Sequence, residues 1–299
     1  MSHPLPVDSA GSDRVGCLLA EASAVLERAG VDQPRANAEL LLAWMIDVDR
    51  GWLFVNRRER LDPALASRFA DWVRRRARRE PLQHVVGRLE FYGLSLACDR
   101  RALVPRPETE GLVGIALGLE PPRGARIADL GTGGGCIALA LAVARPDLRI
   151  VGLDLSTAAL DLARENARRL GLGSRVRFVA GDFARPPRTW RGQMHLVVAN
   201  PPYGSESEWP VLEPEVRDHD PREAFVAGPT GLEAYQALAA PAYELLRPGG
   251  ALVLELGAGQ SRAVAEIATG AGFAIREVRR DFQGIDRVLV ARRPGPGRA

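Results

Sequence analysis

The sequence predicts a two-part α/β protein. A small helical bundle comes first, followed by a mostly parallel sheet covered by helices, with an antiparallel last strand. Three observations predict this. Residues 1–80 carry helical periodicity only. From about Arg126 short apolar strands alternate with amphipathic helices, the pattern of a parallel sheet buried on both faces. The last two apolar runs are close enough in sequence to pair as a hairpin, so one of them must run against the rest. The expected parts are a bundle over 1–80, a hairpin linker over 81–105 and the sheet domain over 106–299.

In the bundle, Asp13 is placed to cap a helix with the apolar stripe Val15, Leu18, Leu19, Ala22, Leu26 and Ala29, stopped by Gly30. Pro34 suits the first turn of a second helix carrying Leu40, Leu41, Trp44 and Met45. Asp62 and Pro63 open a third, with Leu65, Phe69, Trp72 and Val73 on one face, and Pro81 ends it. Its run Arg74-Arg75-Arg76-Ala77-Arg78-Arg79 has two readings: a solvated helix end where cations complement the dipole, or a contact for an acidic or nucleic-acid partner. Between Pro81 and Cys98, Leu89, Phe91, Leu94 and Leu96 alternate around Gly93, which predicts a short hairpin.

The sheet domain then reads in order. Strands are expected at Ile127–Leu130, Ile150–Leu153, Val176–Val179, Leu196–Ala199 and Ala251–Leu256, with the closing pair near Phe273–Arg279 and Val288–Ala291. Helices are expected at Ile137–Ala144, Ser156–Leu170, Leu232–Leu246 and Ala263–Thr269.

Composition bounds the class. Hydrophobic residues make up 46% of the 299, enough to bury a real core. A net charge of +3 permits an acidic or nucleic-acid partner without demanding one. Cys17, Cys98 and Cys136 lie far apart and show no metal-ligand spacing, so no metal is expected. Met1 to Ser12 lacks a signal pattern, and no apolar run approaches the roughly 20 residues of a membrane span. These features fit a soluble cytoplasmic protein, expected to be a monomer without a membrane or stable nucleic-acid partner.

Asp129-Leu130-Gly131-Thr132-Gly133-Gly134-Gly135 ends the first strand and opens a helix. Glycines there let a ligand approach the backbone closely. Dinucleotide sites also use such a turn, but their fingerprint wants Gly or Ala where Cys136 stands. Asp129 would repel a pyrophosphate and attract the ammonium end of a methionine moiety. Both details favour S-adenosylmethionine. Asp154 ends the second strand about 20 residues further on, the place of an acidic residue that accepts ribose hydroxyls. Asp182 and Phe183 follow the third strand, where Asp182 could accept from an adenine amino group and Phe183 stack on its ring; a turn Asp and a core Phe is the alternative.

Asn200-Pro201-Pro202-Tyr203 follows the fourth strand directly. In an open parallel sheet ligands gather at the carboxyl ends of the strands, so this motif arrives beside the glycine loop. Its residues suit the methylation of a planar nitrogen. An amide lone pair is delocalised and must be aligned with the methyl carbon. The Asn200 side-chain carbonyl and the Pro201 backbone carbonyl can grip the two N–H bonds, and Tyr203 can lay its ring against the amide. No strong base is needed, because the proton can leave to solvent afterwards.

Taken together, Asp129–Gly135, Asp154 and Asn200–Tyr203 resemble the class I (Rossmann-like) methyltransferases that act on planar nitrogens. Pro81-Leu82-Gln83-His84-Val85-Val86-Gly87, Val104-Pro105-Arg106-Pro107-Glu108-Thr109-Glu110 and Asp281-Phe282-Gln283-Gly284-Ile285-Asp286-Arg287 narrow this to a resemblance to the HemK/PrmC family, running from the bundle to about Arg292. The resemblance implies N5-methylation of the glutamine in the Gly-Gly-Gln loop of class 1 peptide chain release factors, with the bundle helping to grip the factor. It implies that Gly131 to Gly135, Asp154, Phe183 and Asn200 bind the cofactor and that Asn200 to Tyr203, Pro202 included, hold the glutamine. One departure stands out: the family usually has an aliphatic residue after Tyr203, whereas Gly204-Ser205 follows here, with Glu206, Glu208 and Trp209 beyond. Three other activities share part of this logic: a DNA or RNA base amino-methyltransferase acting on a flipped base, a glutamine methyltransferase acting on a ribosomal protein, and a non-catalytic adaptor.

Overall fold

The computed structural model describes residues 13–295. In chain order the elements are α1 (Val15–Arg28), α2 (Pro34–Ile46), α3 (Arg50–Val55), α4 (Pro63–Ala77), α5 (Leu82–Val86), β1 (Arg88–Phe91), β2 (Leu94–Ala97), α6 (Glu108–Gly118), β3 (Arg126–Leu130), α7 (Cys136–Ala144), β4 (Arg149–Asp154), α8 (Thr157–Arg169), β5 (Val176–Ala180), β6 (Met194–Ala199), β7 (Gly204–Ser205), α9 (Pro214–Arg217), β8 (Val226–Gly228), α10 (Glu233–Leu245), β9 (Leu246–Glu255), α11 (Ser261–Gly270), β10 (Ala274–Arg280) and β11 (Asp286–Arg292). The described residues form two compact units: those up to Gly87 with Pro214–His219, and Arg88–Glu213 with those from Asp220 onward. The short segment carrying α9 thus belongs with the helices, although it lies far along the chain.

The helical unit departs from the expected pattern in detail. Arg14 stands at the N-cap of α1, and no side chain caps it. The free N–H groups of the first turn are satisfied instead by carbonyls of the chain ahead of α4: Val15 donates to Glu59 and Gly16 to Arg57, each at 2.9 Å. Asp13 is left to pair with Arg60 at 3.5 Å. In α2 the fully buried residues are Ala38, Leu41, Leu42 and Ala43, while Leu40, Trp44 and Met45 are only partly covered. This helix packs against α1, α3, α4 and α5, so it is buried around a wider arc than one stripe. Leu82–Val86 is helical rather than part of the hairpin, because Pro81 starts a turn that Gly87 ends at φ 78°.

The arginine run is mostly neither a solvated face nor a free docking patch. Arg75 donates to Glu80 at 2.9 Å and to the carbonyls of His84 and Val85 at 3.0 Å. Arg76 is 6% exposed and donates to Asn37 Oδ1 at 2.9 Å and Glu215 Oε1 at 2.7 Å. Arg79 grips both oxygens of Glu215, at 2.7 and 2.6 Å. Only Arg74 and Arg78 face solvent. Burial alone would raise the Glu215 carboxyl, but hydrogen bonds from Arg79 and Arg76 hold it below its ordinary value of 4.5. The stabilisation is therefore complete above that value and fades as pH falls through the lowered one. Glu215→Ala should cost about 3 kcal/mol, because it leaves the buried Arg76 charge facing only Asn37 Oδ1 and the Glu80 carbonyl. Arg74→Ala should stay within about 0.5 kcal/mol. Urea denaturation checks both, and equal midpoints for the two variants would refute the pairing.

The second unit is built on a seven-stranded sheet in the order β10-β11-β9-β6-β3-β4-β5. Neighbours are parallel from β9 through β5, and β11 is antiparallel to both β9 and β10, as expected of the closing hairpin. Alternate strand residues feed two cores. Ile127, Leu196, Val198 and Val253 pack with α6, α7 and α8, and Ala128, Leu130, Val197, Leu252 and Leu254 pack with α10 and α11. The hairpin β1–β2 turns at Tyr92 and Gly93, both at positive φ. Among the described residues, no helix is long and apolar enough to cross a membrane.

Candidate active site

The site begins with strand register. β3 and β6 are adjacent and parallel, with Leu130 opposite Ala199. The next residues, Gly131 and Asn200, therefore leave the sheet side by side. A Cβ placed on Gly131 would lie 4.0 Å from the Asn200 carbonyl oxygen. On the other side of β3, the amides of Gly131 and Thr132 donate to Leu153 O at 2.8 and 3.0 Å, which pins the loop to the end of β4.

The loop glycines do different jobs. Gly133, at φ 55°, has open space where a Cβ would stand. Gly135, at φ 85°, is a packing glycine: a Cβ there would meet Ala163 and Phe178 at 3.1 Å. Gly134 lies against Leu162, and its carbonyl accepts from Asn166 Nδ2 at 3.1 Å. The loop backbone that no side chain covers is thus that of Gly131 and Gly133.

Asp129 and Thr132 lie under this loop. Asp129 is wholly buried and accepts from Thr132 Oγ1 at 2.6 Å and from the Ala138 amide at 3.2 Å. Its Oδ1 is buried without a partner, and burial pushes its carboxyl up to about 7. Both carboxylate contacts go to the turn and to the first turn of α7, so Asp129 shapes the loop from beneath.

Asp154 tops β4. One oxygen accepts from the Gly133 amide at 2.7 Å and the other from the Ser156 amide at 2.9 Å, while Ser156 itself caps α8. Burial raises its carboxyl despite the backbone donors. Each oxygen keeps a lone pair for an outside donor. The chain after β5 comes alongside, with Gly181 N donating to Asp154 O at 2.9 Å. There Asp182 is exposed and accepts from the Ala184 amide at 2.8 Å, and Phe183 is partly buried against the α10–α11 core. Leu155, next to Asp154, is 76% exposed at this rim.

Asn200 is held from behind. Its Nδ2 donates to Thr109 Oγ1 at 3.2 Å, and the buried Glu255 carboxyl lies alongside, pushed up to about 7 by burial and drawn down by Thr109, Arg287 and Asn200. With Nδ2 turned to Thr109, Asn200 Oδ1 remains an acceptor with no protein donor among the described residues. Pro201 is buried and Pro202 partly so. The carbonyl of Tyr203 accepts from Gln260 at 2.9 Å, and burial first, then the charge of Glu255, pushes the Tyr203 hydroxyl up to about 12.

The departure after Tyr203 has a steric cause. A Cβ on Gly204 would stand 2.0 Å from the Phe225 ring. That ring lies 6.1 Å from Tyr203 and 6.0 Å from Trp209, centroid to centroid. Phe225 therefore fills the space that an aliphatic residue 204 would take.

Motif reading missed Thr109, Asn166, Glu255, Leu155 and Phe225. Two had a local signal: Glu255 interrupts an apolar run, and Asn166 sits on the buried stripe of its helix. A polar group so placed must find partners inside. The Asp281 turn, between β10 and β11, is self-contained. Its carboxylate accepts from the amides of Gln283 and Ile285 and from Arg287 Nε at 2.8, 3.0 and 3.1 Å.

A sheet of this order, with a glycine turn and an Asn-Pro-Pro-Tyr turn side by side at its carboxyl end, defines a class I methyltransferase. Residues 18–87 match the PrmC N-terminal domain, and residues 115–212 match the methyltransferase small domain. The chain is 42% identical to a release factor glutamine methyltransferase of Nitratidesulfovibrio vulgaris, across 92% of this chain and 94% of the relative. It is 43% identical to the Moorella thermoacetica protein of the same name, across 92% and 97%. The chain belongs to the release factor glutamine methyltransferase family. A methyltransferase from Pyrococcus furiosus, 18% identical, shares the fold with a TM-score of 0.50 over 68% of this chain and 90% of that one.

Proposed function

We propose that the protein, acting as a cytoplasmic monomer, transfers a methyl group from S-adenosylmethionine to the side-chain amide nitrogen of the glutamine in the Gly-Gly-Gln motif of class 1 release factors. The observation that carries this is the fixed amide of Asn200 beside Gly131. An acceptor oxygen with no protein donor among the described residues stands next to an open glycine backbone, where a planar N–H group can meet a methyl donor. S-adenosylmethionine supplies a methyl group on a sulfonium sulfur that leaves as a neutral thioether. The chain's own part is binding and alignment. Asn200 Oδ1 and the Pro201 carbonyl accept the two N–H bonds, Pro202 stiffens the turn, and Tyr203 lies against the amide plane. The nitrogen–carbon bond forms as the sulfur–carbon bond breaks, and the surplus proton leaves to water.

The residues fit the methyl donor. Gly131 and Gly133 offer backbone with no side chain in the way, and Thr132, Gly134, Gly135 and Asp129 fix the loop's shape. Asp154 has lone pairs left for ribose hydroxyls. Asp182 and Phe183 flank the adenine position, where exposed Leu155 adds an apolar contact. A nucleic-acid substrate is disfavoured, because Arg75, Arg76 and Arg79 are committed inside the helical unit. Labelled methyl transfer to purified release factor, beside duplex DNA and ribosomal protein, tests the reading; label on DNA alone would overturn it.

Asp154→Ala should weaken S-adenosylmethionine binding about 10- to 100-fold, the loss of hydrogen bonds to a charged acceptor. Calorimetry measures this, and an unaltered Kd would remove the ribose contact.

A further inference from the structure

The motif accounts for Asn200 but not for what stands behind it. Glu255 is the last residue of β9, on the side of β6 away from β3. With Ala199 opposite Leu254, Glu255 comes level with Asn200. It is 1% exposed, and Oε2 has no partner, so the side chain touches neither solvent nor an open cleft. A carboxyl in such a place is costly unless it is engaged. The groups it meets are Thr109, 1% exposed at the start of α6, and Asn200 itself, each of which lowers a carboxyl that burial raises. Thr109 accepts from Asn200 Nδ2 at 3.2 Å, and the Glu255 carboxyl, level with Asn200 on the neighbouring strand, completes the cluster. The charged and titratable groups facing this cluster include Arg287 from β11, Glu108 from α6, Cys136 from α7, Tyr203 from the acceptor turn and Tyr235 from α10.

We propose that Glu255 is a positioning residue for methyl transfer: together with Thr109 it takes both amide protons of Asn200, so that Oδ1 alone faces the acceptor nitrogen. Without it the amide can turn over and present an N–H group, which would repel the substrate's own N–H. A proton on Glu255 would sit on the unpartnered Oε2 and leave the other oxygen accepting, so the arrangement holds in either protonation state. The acceptor on Glu255 also draws electron density through the Asn200 amide toward Oδ1, strengthening its grip as positive charge builds on the attacking nitrogen.

This inference rests on the proposed activity, and its test separates the two. Steady-state kinetics on full-length Glu255→Gln, Thr109→Val and the double variant should show kcat lowered about tenfold or more in each single variant. KM for S-adenosylmethionine and for release factor should stay within about twofold. The double variant should be no slower than the slower single one, because both act on one amide. Thr109→Ser, which keeps the hydroxyl, should restore turnover. If Glu255→Gln fails to fold, as its thermal midpoint would reveal, the valine–serine pair at 109 decides alone. Unchanged kcat, raised KM with kcat intact, or losses that multiply would each overturn the inference while leaving the activity standing. A wild-type protein inactive on release factor would remove the activity and the inference with it.

Discussion

Asn200→Ala is expected to lower kcat by about 10²-fold or more while the protein stays folded, because the residue's contribution is orientation. The side chain is only partly buried and donates to Thr109 beside the Glu255 carboxyl, so truncation leaves a gap without a clash. What disappears is the acceptor that holds the substrate amide against the methyl donor. Asn200→Asp is the sharper variant. It keeps the shape and the oxygen but turns a donor into a second acceptor facing buried Glu255. Two carboxylates so close cannot both ionise freely, and the turn should distort. It should therefore lose turnover as fully as alanine does. Wild-type turnover in either variant, measured by methyl incorporation, would reject the gripping role.

Gly204→Ala is expected to lower both stability and turnover. The new Cβ would stand 2.0 Å from one Phe225 ring carbon and 2.4 Å from a second. The ring has little freedom to move aside: Tyr203 and Trp209 flank it, and the Gly204 amide donates to the Phe225 carbonyl at 2.8 Å, tying the backbones together. Overpacking of this kind costs about 1–3 kcal/mol. Because the displaced backbone adjoins Tyr203, part of that cost should appear in turnover, as a loss of about tenfold. Phe225→Ala added to Gly204→Ala removes the obstacle and should recover most of the activity. A Gly204→Ala variant with normal turnover, or a double variant slower than Gly204→Ala, would show that the ring is not the constraint.

Legibility in the sequence followed the range of the interaction. β3, β4, β5 and β6 lie where their apolar runs place them, because a strand buried on both faces announces itself over five or six residues. The glycine turn and the Asn-Pro-Pro-Tyr turn are equally local, and topology alone brings them to one end of the sheet. α6 was not read, because Leu112, Val113, Ile115 and Ala116 leave no clear polar face to give it a period. The roles of Arg76 and Arg79 were hidden for another reason. Their partner Glu215 is more than a hundred residues away, and no local pattern reports such a pair. Phe225 was hidden likewise: the two-residue strand β7 that aligns it with Gly204 is too short to signal pairing. Glu255 and Asn166 could have been found by asking what a polar residue does on a buried face.

The central claim is that the glycine turn and the asparagine turn align one glutamine amide with one methyl group. Mass spectrometry of tryptic peptides from release factor, after reaction with this protein and S-adenosylmethionine, tests it most directly. A single added methyl on the side-chain nitrogen of the Gly-Gly-Gln glutamine, absent from the Asn200→Ala reaction, is the result expected. A methyl group on any other residue, or an unmodified peptide from a protein that binds S-adenosylmethionine, would contradict it.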